Sequence, residues 1–547
     1  MDLSISPSRR THLTDFLVCF SLGNLCFLRR WYDLEHLKER SMDYYRVHPA
    51  DPTLLLATLV SALLLSGIFW LAWLWLARRP TPGKMQLARC GFLLVLIFPL
   101  ESVRRYWNSE GNHADWGTNG SVLAIEALLA IGLVFTLLGN QRVVRAARRV
   151  ALILTLLFPS LMIDFAWSRV SEEPASAYQP RPPLPMLPRH PGRGAPHRVI
   201  WMLFDELDQR LAFELHQPKV DFPELDRLRA ESLVANRARQ TAPWTTLALP
   251  SLLSGRIYAR AELVDADTLR VYSDAGDAAN WRDQPNVFKK ARELGANAEI
   301  VGWHHPYCRV LGDATVRCMD VPSGNPTVAM LRETSVADEG VWQAVRFLFK
   351  LQFANLREML GGDKGSGVES RDEYVQRRQL GQYFQIRDRA YCEAADQDID
   401  LLFVHFPLPH LFAIYDRQRR DFTLSDNLSY ADNLALVDRT VGEMRRALER
   451  AGLWDSTNIL ITSDHGLRPD LWRGQMGWTE ELERLTGGAQ SQTVPFIVKL
   501  AGQNRPAVYD RAFSSVLSSE LVLAMLGGEV ATAEDVASWL DGHQGAN

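Results

Sequence analysis

Cysteine is scarce in this 547-residue chain. Three of the six, Cys19, Cys26 and Cys90, lie in apolar N-terminal segments, where a thiol packs as a small hydrophobe. Cys308 and Cys318 share a loop-like stretch. Outside the cytoplasm they could pair, and spacing alone leaves two free thiols equally open. Cys392 has no evident partner. Charge of one sign is lacking as well. The net charge of −4 carries no electrostatic footprint of a nucleic-acid binder. Long apolar runs are absent after about residue 170, so the rest has the composition of a soluble protein. The first apolar run has no small-x-small exit, which argues against a cleavable signal peptide.

What is present before residue 170 is apolar. Leu54 to Ala77 runs without a charge for 24 residues, and a bilayer core needs about 20. Further spans are expected at 122–138, 150–167, 85–103 and 13–28, the last two weaker in composition. The loops Arg78–Arg89 and Gly139–Arg149 are basic without an acid, as is the Ser8-Arg9-Arg10 end. Five spans with these segments on the cytoplasmic side place everything after Trp167 outside. The expected organisation is a transmembrane domain of about five helices over 1–170, a linker over 171–198 and an extracytoplasmic domain over 199–547. The expected location is a bacterial inner membrane. Eight prolines between Pro174 and Pro196 favour an extended, semi-rigid spacer.

From Val199 onward short apolar runs alternate with helical stretches. The expected strands are Val199–Phe204, Ala298–Gly302, Leu401–Phe406, Asn458–Thr462 and Val494–Leu500. Leu428, Ala431, Leu434, Val437, Val441, Met444 and Leu448 recur at three and four residues, as on one face of a helix. Such alternation predicts an α/β/α domain with a mostly parallel central sheet. In such sheets ligands collect at the carboxyl ends of the strands.

Those ends are polar. Asp205 and Glu206 follow the first strand, Asp464 and His465 another, and His304, His305 and His410 sit just beyond two more. Singly, each has a plain alternative: a helix cap, a chance Asp-His-Gly, a surface histidine. Together, carboxylates and imidazoles on converging strand ends suit a divalent metal such as Zn²⁺, with Mn²⁺, Mg²⁺ or Ca²⁺ as alternatives. A nucleophile is expected in the hydroxyl-rich turn Gln240–Trp244, Thr245, Thr246, which enters a helix. A helix N-terminus favours anions, and a metal-bound threonine hydroxyl is an activated nucleophile. Thr241, Thr245 and Thr246 all qualify, and a simple N-cap role for Thr245 or Thr246 is the alternative.

Over residues 199–500 these motifs resemble the alkaline phosphatase/sulfatase superfamily, especially its membrane-anchored phosphoethanolamine and phosphoglycerol transferases. Counting back from Leu252-Leu253-Ser254-Gly255, as in sulfatases, lands on Thr245. Counting back five from Pro250, as in the transferases, lands there too. The resemblance implies Thr245 as nucleophile, and Asp205, Asp464 and His465 as metal ligands with Glu206 as an extra. It also implies His410 and His304 as phosphate-holding groups, with His305 as the spare. Two departures stand out. Gly302 occupies the position of a sulfatase lysine. Thr493, before Val494-Pro495, replaces a histidine of the transferases and puts a second metal in doubt.

The resemblance implies a membrane-anchored transferase. It would move a phospho-substituent from a lipid donor to an envelope glycan or lipid acceptor. A phosphatase or phosphodiesterase is the first alternative, and an inactive assembly protein keeping the fold is another. A true sulfatase is disfavoured, because neither Cys nor Ser occupies position 245 for conversion to formylglycine.

Overall fold

In the computed structural model the described residues are 9–28, 30–31, 34, 43–46, 52–78, 81–109, 116–137, 142–160, 162–163, 175–188, 197–215, 221–323, 340–359 and 371–543. The far end of the expected 150–167 span and linker residues 189–196 lie outside them. The chain forms two compact units, and neither is contiguous in sequence. The first comprises residues 1–39, 50–172 and 327–369, and the second 40–49, 173–326 and 370–547.

The second unit is built on an eight-stranded sheet. In chain order its strands are β1 (Arg198–Phe204), β2 (Leu233–Ala235), β3 (Ala298–His304), β4 (Arg317–Pro322), β5 (Leu401–Phe406), β6 (Thr457–Ser463), β7 (Phe496–Lys499) and β8 (Ala507–Tyr509). Their spatial order is β8-β2-β7-β6-β1-β5-β3-β4. The strands from β6 through β4 run parallel, while β7 is antiparallel to both β6 and β2. Side chains alternate across a strand, and here each face feeds a separate core. Val199, Trp201 and Leu203 of β1 join one core with Leu401 and Phe403. Ile200, Met202 and Phe204 join the other with Leu402, Val404 and Phe406. The Tyr430–Arg450 helix covers the second face through Leu434, Val437, Val441, Met444 and Leu448, each burial contributing about 1.5–3 kcal/mol. A capping box between Ser429 and Asp432 starts it.

Two expectations change here. β3 runs on through Trp303 and His304, so these residues end a strand instead of following one. The proline-rich stretch is no free spacer over its described part. Arg181 N donates to Cys308 O at 2.9 Å, Leu184 N to Thr315 O at 2.7 Å and Leu187 N to Asn297 Oδ1 at 2.8 Å. Cys308 and Cys318 are joined by a disulfide with Cα atoms 5.5 Å apart.

In the first unit, helices form at Arg9–Cys26, Pro52–Arg78, Pro82–Ser109, Trp116–Leu137 and Arg142–Leu154. Among the described residues one helix, Thr53–Leu76, is long and apolar enough to cross a membrane. The other four expected spans form helices without reaching that standard. Arg89 and Glu101 interrupt the 85–103 span. The expected basic loop Gly139–Arg149 is itself helical from Arg142, in a helix that ends at Leu154 and covers only the start of the 150–167 span. The first two helices cross closely at small residues; a Cβ on Gly23 would stand 2.8 Å from Ala62 O. The Val341–Met359 helix, far along the chain, packs Ala344, Val345 and Leu348 against Phe27, Trp31 and Leu54 of this same unit.

Candidate active site

β1 and β6 are adjacent and in register, with Phe204 opposite Ser463, so Asp205 and Asp464 leave the sheet side by side. Ser463 Oγ lies 2.7 Å from Phe204 O and accepts from Leu207 N at 2.9 Å, binding the two strand exits together. Thr245 opens the Thr245–Ser254 helix and is nearly buried. Its Oγ1 lies 3.1 Å from His465 Nε2 and 3.5 Å from Asp205 Oδ2. Asp205, Thr245, Asp464 and His465 therefore meet at one point.

A residue that motif reasoning missed joins them. His405, inside β5, is fully buried with Nε2 at 3.9 Å from Asp205 Oδ2. Its Nδ1 is 3.0 Å from Tyr307 Oη. The available signal was a lone imidazole in an otherwise apolar strand. Asp205, His405 and Asp464 form one group able to hold a metal ion, and Asp205, Glu206 and His465 another. The ligand atoms within each group lie inside 4.8 Å of one another.

Three observations fit a cation there. Asp205 Oδ1, Asp464 Oδ2 and His405 Nε2 are buried without a hydrogen-bond partner, a costly arrangement. His465 donates Nδ1–H to Gly466 O at 3.0 Å, so its Nε2 carries a lone pair, and that atom faces Asp464 Oδ2 at 3.2 Å. Burial, reinforced by Asp464 and Glu206, pushes Asp205 well above the usual carboxylate range. Asp464 is also raised, by burial. A bound cation would reverse both shifts.

Glu206 sits differently from its neighbour. Its backbone is left-handed, at φ 62°. Its carboxylate takes Arg468 Nε at 2.5 Å and Trp472 Nε1 at 2.7 Å. Burial opposes its ionisation, yet Arg468 and the Trp472 hydrogen bond bring it below the ordinary range. It anchors Arg468 as much as it faces the metal group. Arg468 in turn lies over the exposed Trp244 ring at 5.2 Å.

The three expected substrate histidines separate. His304 Nε2 is 3.3 Å from Thr246 Oγ1, next along the chain to Thr245, and its Nδ1 is 2.8 Å from Ser323 Oγ. His410 stacks edge-on between Trp303 and Trp472, with centroids 5.3 and 4.6 Å away. His305 is fully buried with both nitrogens engaged, Nε2 on Thr245 O at 3.3 Å and Nδ1 on Tyr44 Oη at 3.0 Å. It is enclosed in the core and spends its only N–H on the Thr245 carbonyl, so His305 supports the Thr245 turn. Burial lowers the pKa of both His304 and His410, which favours the neutral imidazole in the absence of a bound anion.

A profile of the type I phosphodiesterase/nucleotide pyrophosphatase family matches residues 199–496, more than half of the chain. The chain belongs to this family. It is an enzyme of the alkaline phosphatase superfamily. A curated relative, the multifunctional alkaline phosphatase superfamily protein PehA of Trinickia caryophylli, is 34% identical over 114 residues. That match spans 20% of this chain and 21% of the relative's length. Among solved structures, a sulfatase from Pseudoalteromonas sp. is similar at 17% identity and a TM-score of 0.40, over 62% of this chain and 69% of that one. The phosphonate monoester hydrolase of Agrobacterium radiobacter is similar at 13% and 0.35, over 61% and 77%.

Proposed function

We propose that the second unit cleaves phosphate esters through a covalent phospho-threonine at Thr245. The observation that carries this is the placement of Thr245 Oγ1 beside a buried set of ligand atoms that lack partners. One divalent metal held by Asp205, Asp464, His465 and His405 would lower the pKa of the threonine hydroxyl and screen the charge of a phosphodiester. Asp205 Oδ2, at 3.5 Å, is the carboxylate oxygen placed to take the hydroxyl proton. Thr245 Oγ1 forms the new bond to phosphorus as the ester oxygen leaves. His304 and His410 would hold the phosphoryl oxygens once the bound anion draws a second proton onto each ring, since His410 already gives Nδ1–H to Leu411 O and a neutral imidazole has no other N–H. A hydroxyl acceptor or water then releases the phospho-group.

The donor proposed is a membrane lipid, and the acceptor an envelope glycan or lipid. What supports a membrane setting is the apolar Thr53–Leu76 helix and the exposed Leu71, Trp75, Leu128, Ile131 and Ile153 of the first unit. The Cys308–Cys318 disulfide supports an oxidising compartment for the second unit, in line with a multi-pass protein whose basic loops face the cytoplasm. The test is incubation of the purified chain with a labelled lipid extract, with and without an added glycan acceptor. Label moving to the acceptor supports transfer. Label released only to water supports a hydrolase, and no cleavage with any metal contradicts both.

A further inference from the structure

Four residues far from the family-matching region are built into this site. Asp43–Arg46 lie in sequence between the first two N-terminal helices, yet residues 40–49 belong to the second unit. Tyr44 is fully buried in that unit's core. Its backbone carbonyl accepts from Arg309 Nη2 at 2.7 Å, and its hydroxyl meets His305 Nδ1 at 3.0 Å. Through His305 this chain of contacts reaches the Thr245 carbonyl at 3.3 Å. Tyr45 is half-buried and opens towards the nucleophile. Its hydroxyl is 2.8 Å from Thr246 Oγ1 and 3.3 Å from His304 Nε2, with its ring edge-on to His304 at 5.1 Å. An ion pair between Asp43 and Arg46 closes the segment on itself.

His304 needs such support. Its backbone sits at φ 73°, a conformation a histidine holds only when its surroundings impose it. Ser323 fixes one ring nitrogen, and Tyr45 with Thr246 meets the other.

We propose that Tyr45 is a positioning residue for His304 and Tyr44 a positioning residue for the Thr245 turn, so that a segment outside the phosphodiesterase region completes the catalytic site. The catalytic consequence rests on the function proposed above; the clamp itself rests on geometry alone. Burial raises the Tyr45 phenol to about 12, so it stays a neutral hydroxyl, able to accept as well as donate, throughout the physiological range. Tyr45 orients the imidazole that holds phosphoryl oxygens, so its loss should fall on turnover and spare ground-state binding.

The experiment uses the full chain with Tyr45→Phe, His304→Ala and the double variant, assayed on bis(p-nitrophenyl) phosphate. Tyr45→Phe is expected to lower kcat about tenfold, the scale of a misoriented catalytic group, with KM unchanged. The double variant is expected to be no slower than His304→Ala alone, because the two act through one imidazole. Wild-type kcat in Tyr45→Phe, or losses that multiply in the double variant, would overturn the assignment. Amide exchange followed by mass spectrometry separates this from failure of the proposed reaction, since it needs no turnover. Peptides covering Thr245–Leu247 and Trp303–Tyr307 should exchange faster in both Tyr44→Phe and Tyr45→Phe. Unchanged exchange in both would refute the clamp even if the chain cleaves no phosphodiester, and Tyr45→Phe keeps the test open should Tyr44→Phe fail to fold.

Discussion

Replacing Asp205 by Asn should stabilise the metal-free protein and destroy its response to metal. Three carboxylates, Asp205, Glu206 and Asp464, stand in the buried site against the single guanidinium of Arg468. The histidines are lowered by burial and add no charge. With all three carboxylates ionised, two negative charges remain, which is the charge that one divalent cation would balance. The sign of the pH dependence follows. Asp205 has a folded-state pKa raised by burial and by Asp464 and Glu206, so the folded state binds more protons than the unfolded one. In chelator, stability should be full below about pH 4 from this group and fall as pH rises above it. Asn at this position removes that slope. With metal the order inverts. A cation at 100 times its dissociation constant stabilises by about 2.7 kcal/mol, or roughly 4 °C for a domain of this size. Thermal unfolding in EDTA and in Zn²⁺, at pH 5 and pH 8, reads both effects. The reasoning fails if Asp205→Asn melts below wild type in EDTA at pH 8, or if it keeps the full metal-induced shift.

His405→Gln should lower bound zinc at least tenfold, the scale of losing a group that holds a metal, as measured by equilibrium dialysis; unchanged zinc content would remove His405 from the ligand set. Arg468→Met should destabilise by about 3–5 kcal/mol, because it leaves Glu206 buried without its cation; a loss under 1 kcal/mol in urea unfolding would contradict this. Mass spectrometry of non-reduced peptides should find Cys308 and Cys318 linked and Cys392 free to alkylate.

The central strands were legible because both faces are buried, which leaves near-continuous apolar runs such as Val199–Phe204. β2, β4 and β8 were not, being very short or only half-buried. Asp205, Asp464, His465 and Thr245 were legible because each ends a strand or opens a helix. Their neighbours along the chain diverge, since adjacent side chains leave a strand end in opposite directions, although Glu206 keeps a carboxylate oxygen within ligand distance of Asp205 and His465. His305 goes under the Thr245 turn while His304 faces it, and Glu206 turns to Arg468 while Asp205 faces Thr245. His405 was hidden by lying within a strand and not beyond it. Tyr44 and Tyr45 carry no local signal at all, because only tertiary folding brings residues so distant in sequence to Thr246 and His304. The same holds for the Val341–Met359 helix, whose amphipathic pattern names no partner.

The most direct measurement is a search for phosphate on Thr245. The chain is mixed with a slowly turned-over phosphodiester in the presence of Zn²⁺, quenched in acid and digested, and the peptide carrying Thr245 is weighed. A phospho-substituent on Thr245 in wild type is expected. Thr245→Ala should show none, with turnover abolished and bound metal largely retained. An unmodified Thr245 in an active enzyme, or Thr245→Ala working at near wild-type speed, would contradict the assignment and move the nucleophile to Thr246 or Thr241.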